Sequence, residues 1–159
     1  MAQTTGGMSM VDGDIEVAAQ GTGVWVNLSG SANSIDTPTQ TRMSGENYTL
    51  DGDTAVITTG KREPMDIKVN ALYTEVSIEA FETIRPWFQS GARIDLRWAP
   101  KGISAVGVYV FTALNVPITA LDYPVVNASE ASPGLISFTV RAPFVAKTTA
   151  ATSTGLGSA

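Results

Sequence analysis

Alternation of apolar and polar positions is the strongest signal along this chain. Over Pro64–Tyr73, Met65, Ile67, Val69, Ala71 and Tyr73 fall on one side, and Asp66, Lys68 and Asn70 on the other. Ala92–Trp98 separates as sharply, with Ile94, Leu96 and Trp98 opposite Arg93, Asp95 and Arg97. Period-two spacing of this kind predicts strands with two unlike faces. The same reading places strands at Gly23–Ser29, with Val24, Val26 and Leu28 on one face, and at Leu135–Ala142, with Ile136, Phe138 and Val140 together. Glu16–Ala19 begins another. Val106–Leu114 is apolar throughout, which suits a strand covered on both faces. Val116–Val126 reads as a strand that Pro117 and Pro124 confine to an edge or a bulge. Tyr48–Leu50 and Ala55–Thr59 flank Asp51-Gly52-Asp53, a hairpin signal.

Between the two strongest strands the period changes. At about 100° per residue, Ile78, Phe81, Ile84 and Phe88 share an arc of about 120°, which predicts an amphipathic helix over 78–89. Ser77 is the expected N-cap, with Glu79 favouring the dipole, and Gly91 the expected C′ residue. Pro86 should kink or restart the helix. The sum is seven or eight strands and one helix. We therefore expect a mainly β fold, a β-sandwich or barrel with that helix flanking a sheet face. Residues 1–15 read as a flexible arm, 16–147 as a single domain and 148–159 as a mobile tail. Within the domain, 31–45 reads as a long polar loop.

Composition narrows the chemistry. The chain of 159 residues contains no cysteine and no histidine. Disulfides, thiolate metal sites and every catalytic arrangement built on histidine are therefore impossible within it. Asp51 and Asp53 invite a metal reading, but an EF-hand counted from Asp51 would need ligands where Ala55 and Arg62 stand. No cofactor is expected. The opening residues lack the features of a signal peptide, and no apolar run is long enough to span a bilayer. The Asn-x-Ser/Thr triplets at Asn27, Asn47 and Asn127 read as chance occurrences in a Ser/Thr-rich chain. Trp25, Trp87 and Trp98 read as packing residues.

Charge is uneven. The net charge is −5, and residues 1–60 carry seven acids against one base, Arg42. Such a chain is poorly suited to binding duplex DNA, whose affinity comes from Lys and Arg on phosphates.

The stretch from Met65 to Lys101 resembles the major tail proteins of long-tailed bacteriophages, the subunits of the tail tube. The residues that carry the resemblance are Asp66-Ile67-Lys68-Val69, Leu72-Tyr73-Thr74-Glu75, Ala80-Phe81-Glu82 and Trp87-Phe88. The run from Gly91 to Gly102, ending in Leu96-Arg97-Trp98-Ala99-Pro100-Lys101-Gly102, is the strongest piece. The specific part covers about a quarter of the chain, and no active-site motif defines the family.

The resemblance implies a β-sandwich that assembles into hexameric rings, stacked as a tube through which phage DNA leaves without specific binding. In such tubes each subunit gives part of a sheet to an inner barrel, and arms and the long loop bridge rings. It also implies a virion location after assembly in the host cytoplasm, no membrane, and tape measure, tail terminator and tail tip proteins as partners. A type VI secretion-like ring protein shares the expected fold. Readings outside the resemblance are a β-sandwich carbohydrate-binding or tail-tip adhesion module, and a carboxylate enzyme. The chain is expected not to be an enzyme.

Two residue sets are candidates for assembly. Asp66 and Lys68 alternate with Arg93, Asp95 and Arg97 on strands expected to be neighbours, where they pair across a subunit boundary or cover an ordinary solvated face. Asp12, Asp14, Asp51 and Asp53 are candidates for lumen charge, which acts only over roughly 8 Å at physiological salt.

Overall fold

A computed structural model describes residues 3–4, 12–102, 107–129, 131 and 133–149. Its element order is β1 (Asp14–Ala19), β2 (Val26–Asn27), β3 (Ala32–Ile35), β4 (Arg42–Asn47), β5 (Val56–Arg62), β6 (Met65–Leu72), α1 (Ala80–Ser90), β7 (Arg93–Ala99), β8 (Tyr109–Asp122), β9 (Leu135–Ala142) and β10 (Ala146–Thr149). Eight strands form one antiparallel sheet in the order β2-β1-β7-β8-β9-β6-β3, with β10 beside β8; β4 and β5 form a separate pair. The sheet is open, ending at β2 and β3.

The sheet turns a corner along β8. The first part of this strand pairs with β7 and β10, and Ile118–Asp122 pair with β9. Register shifts lie on either side of the bend, between Ile94 and Leu96 and between Ile118 and Ala120. Within the first shift, whose β8 partners are Val116 and Ala113, Asn115 adopts φ 53°, a conformation that asparagine tolerates better than most residues. Pro117 sits in this bulged stretch, where a missing N–H is tolerated. The two halves face each other across one core: Val17, Leu28, Ile94 and Leu96 from one side, and Ile67, Val69, Ile136, Phe138 and Val140 from the other. This is the expected sandwich.

The alternation of β6 holds residue by residue, and that of β9 holds except at Ser137, which is buried between Ile136 and Phe138. Met65, Ile67, Val69 and Ala71 are buried, as are Ile136, Phe138 and Val140. The helix α1 packs on β6 and β8, burying Ala80, Phe81 and Ile84. Phe81 meets Tyr73 and Tyr123 edge-on, with ring centroids 5.1 and 5.8 Å apart.

Several expectations are corrected. The helix begins at Ala80, later than expected, and Ile78 is exposed. Ser77 is not the cap; Glu79 occupies that position, and the distant Ser31 hydroxyl accepts from the Ala80 N–H at 3.1 Å. Pro86 does not restart the helix, which is continuous through it. Gly91 closes it in the left-handed conformation as expected, with φ 73°. The expected strand at 23–29 shrinks to Val26–Asn27, with Gly21 and Gly23 at positive φ before it. The 31–45 segment is not a loop: it contains β3 and the start of β4. The two strands expected on either side of Asn115 are one bent strand. Asp14 and Ile15 of the expected arm belong to β1, and Thr148 and Thr149 of the expected tail to β10. The remainder of that tail, Val106 and most of that arm lie outside the described residues.

Candidate assembly interface

The β4–β5 hairpin stands apart from the sandwich. Every residue of both strands is exposed, and neither strand belongs to the main sheet. Its root is tied down by short contacts. The Gln40 side-chain amide donates to the carbonyls of Glu63 and Pro143, Thr41 donates to the Glu63 carboxylate, and Arg62 lies over the Phe144 ring. Beyond that root the hairpin presents Met43, Tyr48, Leu50, Val56 and Ile57 to solvent. Arg42, Lys61, Arg62 and the acid Glu63 lie at the root, and Glu46, Asp51 and Asp53 towards the tip.

Unpaired sheet edges are the second feature. Among the described residues β10 pairs only with β8 and β3 only with β6. Each leaves a row of backbone groups available to another strand. Ala146–Thr149 is short and polar, and Lys147 lies 3.9 Å from the Tyr109 ring centroid. A bulge between Ala32 and Ser34 interrupts β3.

The charged residues expected to pair across subunits have partners within the chain. β6 and β7 are not neighbours, since β8 and β9 lie between them. Asp66 pairs with Arg141 at 3.0 Å and Lys68 with Asp122 at 3.7 Å, all four being substantially exposed. Arg93 donates to the Asn115 carbonyl. The buried Asp95 carboxylate accepts from the Asn115 N–H at 2.8 Å and the Gly21 N–H at 3.2 Å. Arg97 reaches the Glu16 carboxylate at 2.9 Å and stacks against Trp25, its guanidinium carbon 3.9 Å from the ring centroid. Asp95 and Arg97 therefore serve the fold.

Glu16 was not among the candidates. It is fully buried, and its Oε1 has no hydrogen-bond partner among the described residues. Burial pushes its carboxyl above the ordinary value, against the pull of Arg97. Its strand position opposite Arg97 was invisible without the β1–β7 pairing.

The acids proposed for lumen charge lie in two places. Asp51 and Asp53 are exposed in the turn of the hairpin. Asp12 is exposed just before β1, and the half-buried Asp14 accepts a hydrogen bond from the Ser29 hydroxyl. An open cleft of about 620 Å³ lies beside Asp14, lined also by Ile15, Ala32, Ile35 and Trp98. It assembles no pairing of acid and base suited to catalysis.

No protein-family model and no curated sequence matches the chain. Solved structures do. A chain of the sheath–tube complex of an extracellular contractile injection system, in the extended state, aligns with TM-score 0.68 and 12% identity over 91% of this chain and 94% of its own. A chain of the six-fold symmetrised anti-feeding prophage baseplate gives 0.69 and 6%, over 93% and 97%. A chain from the tail of an empty gene transfer agent particle, refined with C6 symmetry, gives 0.61 and 14%, over 94% and 100%. The fold is thus tail-tube-like.

Proposed function

We propose that a chain with this tail-tube-like fold is a structural tail protein: a tube subunit that closes into hexameric rings, which stack as the conduit for phage DNA ejection. The observation that carries this reading is the bare β4–β5 hairpin. An isolated two-stranded hairpin is at best marginally stable in water, and this one exposes five large apolar side chains. A neighbouring subunit would cover them and fix the hairpin between rings.

The open edges at β10 and β3 fit ring closure, because a head-to-tail contact that closes removes unpaired edges. Two of the similar structures carry six-fold symmetry. Asp12, Asp14, Asp51 and Asp53 are the acids assigned to the bore, where negative charge keeps a phosphate backbone from adhering. In this reading the chain has no catalytic role, belongs to the virion, assembles in the host cytoplasm, and meets tape measure, terminator and tail tip proteins. The flanks before β1 and after β10 supply arms to neighbouring subunits.

Negative-stain microscopy of the purified protein tests the proposal. The expected result is rings or tubes with a bore of about 40 Å, enough for a duplex plus clearance. A protein that stays monomeric at every concentration and salt would overturn it. Similarity extends to chains of a sheath/tube terminator and a tube-terminating cap, and a terminator would give single rings that never stack.

A further inference from the structure

The chain carries two Asp-Gly pairs, Asp12-Gly13 and Asp51-Gly52. In such a pair the glycine nitrogen can attack the aspartate side-chain carboxyl carbon and close a five-membered succinimide, because glycine has no side chain to crowd the approach. The other aspartates precede Ile, Thr, Leu or Tyr, whose side chains do crowd it. Closure also requires the peptide between the two residues to turn relative to the aspartate side chain. The fold treats the two pairs differently in this respect.

Asp51-Gly52 sits at the hairpin tip, where residues 48–55 join the last ladder pair, Asn47 and Val56. Residues 48–54 are all exposed. The Gly52 N–H points to the Thr49 carbonyl at 3.5 Å, beyond the usual length of such a bond, so this peptide is loosely held. Asp12-Gly13 is packed. The Asp12 carbonyl oxygen lies 2.6 Å, and its carbon 3.8 Å, from where a Cβ on Gly102 would stand. Gly13 leads straight into β1, whose Asp14 pairs with Ala99. Turning the Asp12-Gly13 peptide would drive it into the turn after β7 or break the start of β1.

We infer that Asp51 is a site of spontaneous isomerisation to isoaspartate and that the fold protects Asp12 from the same reaction. The Gly52 nitrogen bonds to the Asp51 Cγ and gives up its proton, and the carboxyl hydroxyl leaves with a proton as water. Water then adds to the main-chain carbonyl carbon of the ring, and the bond from that carbon to the Gly52 nitrogen breaks. The main chain now runs through the Asp51 side-chain methylene, one carbon longer, and the former main-chain carbonyl is a free carboxylate. No oxidant, metal or second protein is consumed. The charge of the tip is unchanged, and the added length falls within 48–55, outside the ladder. The product belongs to the substrate class of isoaspartyl methyltransferases, which esterify that free carboxylate with a methyl group from S-adenosylmethionine. This chemistry depends on the hairpin turn and not on the tube reading.

Ageing the purified protein at neutral pH in heavy-oxygen water tests it, because each ring opening leaves one heavy oxygen in the chain. Digestion and mass spectrometry then locate the label. Asp51 is expected to take up label roughly tenfold faster than Asp12, the ratio being set by the strain of turning a packed peptide. In denaturant neither pair is held, and the two should label alike. An isoaspartyl methyltransferase supplied with labelled S-adenosylmethionine should methylate the aged natural chain and not aged Asp51→Glu, whose longer side chain does not close the five-membered ring. Equal labelling of Asp12 and Asp51 in the folded protein, or none at Asp51, would overturn the inference. A preference for Asp51 that persists in denaturant would overturn the protection of Asp12 by the fold.

Discussion

At the scale of single residues, the most constrained group is the Glu16 carboxylate. It has left water for a place where only one oxygen finds a partner, Arg97. Removing one member of a buried pair strands the other, so Arg97→Ala should cost about 3–5 kcal/mol. Chemical denaturation of the purified variant measures this. Because burial raises the Glu16 pKa above 4.5 when folded, the folded state holds that proton more tightly than the unfolded chain. The stabilisation from protonation is complete below the unfolded value and is lost as pH rises through the folded one. Wild type should therefore lose stability across that window relative to Glu16→Gln, which has no such titration. Thermal melts of both across the window provide the comparison. Gly102 is constrained by backbone alone: its φ is 77°, and a Cβ there would lie 2.6 Å from the Asp12 carbonyl oxygen. Gly102→Ala should destabilise by about 1–3 kcal/mol on the same assay, through strain at a position that disfavours side chains.

At the scale of elements, the helix shows how local signals and distant partners divide the work. Its apolar arc and its terminating glycine are local, and both were readable. Its N-terminus is satisfied by Ser31, 49 positions away, a cap with no sequence signature near the helix. Ser31→Ala should lower stability by about 0.5–2 kcal/mol, the usual worth of a lost cap, again by denaturation. The bend of β8 is a similar case. Asp95 fixes the Asn115 N–H and Arg93 its carbonyl, so charges that read as one solvated face instead hold a corner. Sequence alternation gave their shared side correctly, since residues two apart on a strand must face alike. It could not identify their partners, because strand order is set by long-range packing.

At the scale of the whole molecule, the sandwich and the hairpin are separable. The core draws nothing from β4 or β5, so replacing 43–61 with a short Gly-Ser linker should leave the melting temperature nearly unchanged. The same variant should form no tubes. Circular dichroism and electron microscopy of one preparation read both outcomes. The hairpin was legible from Asp51-Gly52 between apolar runs, but its independence was not. A polar stretch at 31–45 looked like a loop because β3 and β4 lack the alternation that burial imposes: β4 faces solvent on both sides, and β3 pairs at an open edge.

The sequence alone determined the mainly β class, the strands β6, β7 and β9, the single helix, and the exclusion of cysteine and histidine chemistry. These follow from periodicity and residue type, which act over a few neighbours. Tertiary structure alone decided that β7 lies beside β1 and not beside β6, that Glu16 and Arg97 meet, and that the hairpin stands apart from the main sheet. Those facts depend on which buried faces find each other across the core, a choice among non-local contacts that no short window of sequence records.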